Sequence, residues 1–148
     1  MMKLSTKGRY GARLMLDLAL YYGQDPVFLK DIARRQEISE KYLSHLVAPL
    51  KAAGLINSTR GAHGGYSLAR SPRDITLGEI IRAVEGGLSL VECVATPNVC
   101  QRVNFCVTRD IWQEMGDKMM RVLESNTLED MVQRQKQKQK MYPAMYSI

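Results

Sequence analysis

Apolar positions recur at intervals of three and four residues along most of the chain, broken by short clusters of glycine, proline and small polar residues. After Ser5 and Thr6, either of which can cap a helix, Leu14, Leu16, Leu18, Ala19 and Tyr22 fall at helical spacing as far as Gly23. Past Pro26, VFLKDIARRQ sets Val27, Leu29, Ile32 and Ala33 on one face and Lys30, Arg34 and Arg35 on another, which predicts a short amphipathic helix. Ser39 is a good N-cap for EKYLSHLVAPLKAAG, where Tyr42, Leu43, Leu46, Val47 and Leu50 form the apolar stripe and Gly54 the stop. Pro49 removes a backbone donor, so a kink or a tightened last turn is expected there. Two helices joined only by QEIS make a helix-turn-helix candidate.

The period then shortens. LINSTRGAHGGYSLAR holds a strand-like segment at Leu55 to Thr59, a turn with Gly61, Gly64 and Gly65, and a second strand at Tyr66 to Ala69. A hairpin directly after a helix-turn-helix reads as a wing. TLGEIIRAVEGG is a further short helix, with Thr76 and Glu79 as a capping box and Gly86 and Gly87 closing it. Residues 92–107 read as an unstructured loop. Thr108 can then cap RDIWQEMGDKMMRVLES, whose apolar positions Ile111, Trp112, Met115, Met119, Val122 and Leu123 are too extensive for a helix standing alone and read as a dimer seam. Thr127 caps a last turn or two, and RQKQKQKMYPAMYSI is expected to fray. The predicted fold is mainly α: a winged helix-turn-helix over 1–78, then over 79–148 a loop, dimerisation helices including a long C-terminal one, and a flexible tail.

Charge separates these halves. The net charge of the whole chain, +6, lies entirely within residues 1–78, and residues 79–148 are neutral. A basic module suggests a polyanion partner, with a merely soluble surface as the alternative. For the helix pair alone, Glu40, Lys41, Ser44 and His45 fit an ordinary solvated face nearly as well as a groove-reading one. The wing decides: its glycines let backbone approach a phosphodiester chain, and Arg60 and His63 at its tip suit phosphate or minor-groove contact. His63 has no neighbouring His or Cys, so a metal role for it is remote. No run approaches a membrane span. No Ser/His/Asp arrangement, paired carboxylates or phosphate-binding loop points to an enzyme.

The remaining chemistry is soft. The chain has three cysteines, Cys93, Cys100 and Cys106, all in the stretch ECVATPNVCQRVNFCVT. Three thiolates on one flexible segment can converge on zinc, copper or an iron-sulfur cluster. Structural zinc favours short C-x-x-C pairs, which are absent, so the spacing leans toward iron-sulfur. Buried packing of the thiols is the alternative, but a loop with Pro97, Asn98 and Asn104 offers little core. A disulfide framework fits worse, because the count is odd. RLMLDLALYY, broken by Asp17, carries no cleavage site, which leaves the chain in a reducing cytoplasm.

KLSTKGRYG, LKDIARRQEISEKYLSHLV, RGAHGGY and the three-cysteine loop before a Trp-bearing helix together resemble the family of winged-helix regulators that includes the iron-sulfur cluster regulator IscR, over about residues 2–132. The resemblance implies a cytoplasmic homodimeric bacterial transcription regulator, such as a repressor, on a pseudo-palindromic double-stranded operator, governing genes of iron-sulfur cluster biogenesis. It makes Cys93, Cys100 and Cys106 ligands of a 2Fe-2S cluster and Ser39, Lys41, Tyr42, Ser44 and His45 the groove-facing residues. Arg60, Gly61 and His63 become wing contacts, and Ser5, Lys7 and Arg9 backbone contacts. Relatives that sense nitric oxide, iron or cysteine keep other signals open on the same DNA-binding scaffold, nitric oxide, iron or thiol redox state, with zinc or with no cluster; a more distant alternative is an iron-sulfur carrier. The chain departs from IscR in two places: its first two cysteines stand one residue further apart, and Arg109 replaces the histidine three residues beyond the last one. A guanidinium cannot ligate iron. Nor does STKGRYGAR, Ser5 to Arg13, hold the N-terminal carboxylate that nitric-oxide-sensing relatives use. Asp110, Thr108, a partner group, solvent or a small thiol remain as the fourth ligand.

Overall fold

The computed structural model describes residues 3–143. In chain order it has α1 (Thr6–Leu20), α2 (Leu29–Gln36), α3 (Glu40–Ala52), β1 (Ile56–Thr59), β2 (Gly65–Leu68), α4 (Leu77–Glu85), α5 (Glu92–Ala95), α6 (Val107–Glu124) and α7 (Leu128–Met141), with 3-10 turns at Pro72–Asp74 and Pro97–Val99. The caps explain the boundaries. Ser5 and Ser39 each accept a backbone N–H from the first turn of their helix, Gly8 and Tyr42 respectively, at 3.1 Å. Thr76 with Glu79, and Thr127 with Asp130, form reciprocal capping boxes. α3 continues through Pro49 to Ala52.

Leu14, Met15, Ile32, Leu43, Leu50, Leu55, Ile56, Ile75, Ile80 and Leu128 are almost wholly buried and form one core. α1 packs against α2, α3, α4 and α7. Gly8 and Gly11 allow the approach to α4, since a Cβ on Gly11 would lie 3.3 Å from Val84 Cγ1. The core therefore extends past residue 78: α4 and the start of α7 close it, with the Leu128 N–H donating to the Ile75 carbonyl at 2.9 Å. β1 and β2 pair antiparallel, Ile56 opposite Leu68 and Thr59 opposite Gly65. Val27 and Tyr66 exchange two backbone hydrogen bonds of 2.8 Å, which ties the wing to the segment before α2.

Several expectations are corrected. The RQKQKQK segment does not fray but continues α7 to Met141, because the Thr127 box starts the helix and Gln, Lys and Arg propagate it well. The rest of that tail, residues 144–148, lies outside the described residues. α6 begins at Val107 with Cys106 as its N-cap, so Thr108 is inside it. The loop is not structureless, since α5 and the 3-10 turn at Pro97–Val99 occupy it. Tyr22, placed on the first apolar stripe, is 50% exposed because α1 has ended at Leu20.

Candidate functional site

Lys41, Ser44 and His45 lie exposed on the first turns of α3, on the side opposite Leu43, Leu46 and Leu50. Ser39 is exposed, but its hydroxyl oxygen is committed to the cap. Ser44 donates to the Lys41 carbonyl at 2.6 Å, a bond within the helix. Tyr42 is only half exposed, meeting Tyr10 of α1 edge-on with ring centroids 5.5 Å apart. On the wing, Arg60, Gly61 and His63 are exposed, and Gly61 adopts a φ of +106°, a region that favours glycine. Lys7 and Arg9 are exposed on the first turn of α1, while the Ser5 hydroxyl donates to Glu85 of α4. N-terminus of α1, N-terminal turns of α3 and wing tip thus each present an exposed cation, Lys7 and Arg9, Lys41, and Arg60 respectively.

The cysteine loop is built differently. Cys93, Cys100 and Cys106 are free and half-buried. Thr108 Oγ1 stands 3.3 Å from Cys106 Sγ. The Thr108 hydroxyl hydrogen bond, with the Arg109 backbone N–H, holds the Cys106 thiol below its ordinary pKa despite slight desolvation; Arg102 adds to the effect. Arg109 does not point at solvent: its Nε donates to the Cys93 carbonyl at 3.3 Å, so the residue at the missing-ligand position ties the two ends of the loop together. Three soft thiols, one biased toward thiolate, are chemically suited to iron-sulfur or zinc. They are not gathered, however: among the described residues, no three Cys, His, Asp or Glu side chains are placed to hold one ion.

Beside this loop, α6 leaves part of its apolar face uncovered, while Met115, Met119 and Leu123 of the predicted seam are half-buried. Ile111 is 46% exposed, Trp112 39% and Val122 62%, and of the helix only Gly116 is buried. Among the described residues, no helix is long and apolar enough to cross a membrane.

Comparison with known proteins places this arrangement. The model of the Rrf2 family, iron-dependent transcriptional regulators, matches residues 4–134. The chain belongs to the Rrf2 family. The Rrf2 protein of Nitratidesulfovibrio vulgaris is 47% identical over 131 residues, 88% of this chain and 87% of that protein. The solved structure of T. potens IscR superposes with a TM-score of 0.78 at 46% identity, covering 93% of this chain and 91% of that one. That of CymR (YrzC), the global cysteine regulator of Bacillus subtilis, gives 0.76 at 44% identity, covering 90% and 98%. This Rrf2-family chain is accordingly a DNA-binding transcription regulator of mainly α, winged-helix fold, and not an enzyme.

Sequence reading missed one part of the Rrf2-family scaffold. Asp17 served there only to interrupt an apolar run, yet it is the charged side chain that the described residues bury, 1% exposed and paired with Arg35 of α2. The signal was a carboxylate centred in the otherwise apolar run from Leu14 to Leu20.

Proposed function

We propose that this protein is a homodimer that reads a pseudo-palindromic operator with α3 and the wing, and that ligation of an iron-sulfur cluster by Cys93, Cys100 and Cys106 sets its operator affinity. The observation that carries the proposal is the position of the three thiols: they sit on a segment without buried residues, directly ahead of a helix that leaves Ile111, Trp112 and Val122 uncovered. Burying Ile111, Trp112 and Val122 against a second copy of α6 is the simplest way to cover that face. Two α3 helices would then enter successive major grooves about one helical turn apart. When bound, a 2Fe-2S cluster supplies a site whose occupancy follows iron supply and oxidation. The chain's own contribution is to order residues 92–107. Three thiols brought together fix the approach to α6, and Arg109, already bonded to the Cys93 carbonyl, carries that order into the helix. Its guanidinium would also offset part of the negative charge of three thiolates. Genes of iron-sulfur cluster biogenesis are the fitting targets for such a sensor.

A second reading drops the metal. The likeness to CymR and the lowered Cys106 pKa favour a regulator that answers to thiol chemistry on the same DNA-binding scaffold. Anaerobic purification separates the two. Visible charge-transfer absorption, with iron and sulfide bound in equal amounts and lost in Cys100→Ser, supports the cluster. A colourless protein removes it: one without metal favours the second reading, and one with zinc puts a different metal on the same thiols. Trp112→Asp tests the dimer: sedimentation should show a monomer with weakened operator binding.

A further inference from the structure

A buried carboxylate is costly unless donors surround it, and Asp17 has three. Arg35 Nη2 donates to its Oδ1 at 2.7 Å, and Arg35 Nε and Gln36 Nε2 each donate to its Oδ2 at 3.0 Å. The Arg35 guanidinium carbon also stands 4.5 Å from the centroid of the Tyr21 ring. Its hydrogen bond to Asp17 outweighs burial and raises the Arg35 pKa above its ordinary value. One turn earlier on α1, Arg13 Nε donates to Gln36 Oε1 at 3.2 Å and its Nη2 to the Gln36 main-chain carbonyl. One turn earlier again, Tyr10 meets Tyr42 of α3. Tyr10, Arg13 and Asp17 therefore form one stripe along α1 that holds the helix-turn-helix at its joint.

The grip falls on the last two residues of α2. Next comes Glu37, whose φ of +56° puts a non-glycine residue in the left-handed region and turns the chain into α3. Apolar packing alone tolerates small rotations, whereas a guanidinium–carboxylate fork fixes distance and plane together. Asp17 is buried but 28% of the Arg35 side chain is exposed, and a partly screened ion pair adds little net stability, so stability alone does not account for it.

We infer that Asp17, gripping Arg35 and Gln36 with help from Arg13, is a positioning site that sets the angle at which α3 is presented, and hence the discrimination between operator and other DNA. The inference rests on α3 being the recognition helix. The test compares the duplex that the parent protein selects most tightly from a random library with a scrambled duplex, by fluorescence anisotropy at fixed salt, alongside thermal melting. Asp17→Leu/Arg35→Met keeps net charge and fills the site with apolar groups. It should melt near the parent and bind the scrambled duplex equally well, yet lose about tenfold or more on the selected one, the size of one lost base contact. Arg35→Lys, which keeps the charge but not the fork, should share the loss. Either variant, folded and as selective as the parent, overturns the positioning role while leaving α3 as the reader. A parent that selects no duplex removes the reading of α3 and the inference with it.

Discussion

The winged-helix core and the cysteine loop are held by opposite means. Around α1, side chains such as Leu14, Met15, Leu43 and Ile80 are fully buried, and most helices begin at a side-chain cap. From Gly86 to Met115 no residue is buried, and backbone bonds inside the loop reach only three or four residues, such as Val94 to Val91 and Thr96 to Glu92. Low burial and local bonding mean a low free energy for opening. A reader must present its helix at a fixed angle, whereas a sensor must change its state for the few kcal/mol a ligand supplies. In the proposed function these demands fall on separate regions, joined through α4 and α6, where Arg82 pairs with Glu124.

The largest expected contrast is in stability. Leu43→Ala should cost about 2–5 kcal/mol in denaturant unfolding, whereas Cys93→Ser in metal-free protein should cost less than about 0.5 kcal/mol. A serine variant as damaging as the alanine one would end the distinction between the two regions. The next effect is on DNA. Arg60→Ala should weaken operator binding by about 1–3 kcal/mol if Arg60 reads a base. If it contacts phosphate, the salt slope should fall by about 0.9 instead. Operator binding and salt slope that both stay unchanged would take the wing off the interface. Smaller still, Thr76→Ala removes half a capping box and should cost about 1 kcal/mol.

The smallest effect is a pH dependence. Burial pushes the Glu79 carboxyl up, but hydrogen bonds from Arg70 and the Thr76 N–H outweigh it and leave it below the usual carboxylate range. A carboxyl depressed on folding contributes its stability above the ordinary carboxylate pKa and loses it as pH falls through the folded value. Glu79→Gln should therefore lower the melting temperature slightly at neutral pH and leave it nearly unchanged at low pH, which flattens part of the acid limb of the stability curve. Because Glu79 belongs to the well-held region, an acid limb unaltered by the substitution would show that the cap contributes nothing there.

What the sequence made legible is what local chemistry decides. Ser39, Thr76 and Thr127 announce their helices because a cap needs only its own first turn. The glycines around Arg60 announce a hairpin for the same reason. Asp17 was opaque, since its partners lie eighteen and nineteen residues away on another helix. The course of α7 was hidden too: polar composition suggested fraying, while Leu128 and Val132, buried against α1, anchor its start. In the loop, the sequence showed three thiols of the right chemistry but not that they stay ungathered, which depends on a fold no local pattern encodes.

The central claim is that occupancy of the cysteine loop sets the affinity of a reader that does not contain it. Anisotropy of one operator duplex against anaerobic cluster-loaded and metal-free protein, at the same salt, tests it most directly. The two affinities should differ by about 5- to 150-fold, the usual range of such coupling, with the difference vanishing in Cys93→Ser. Equal affinities for the loaded and metal-free protein would contradict the account.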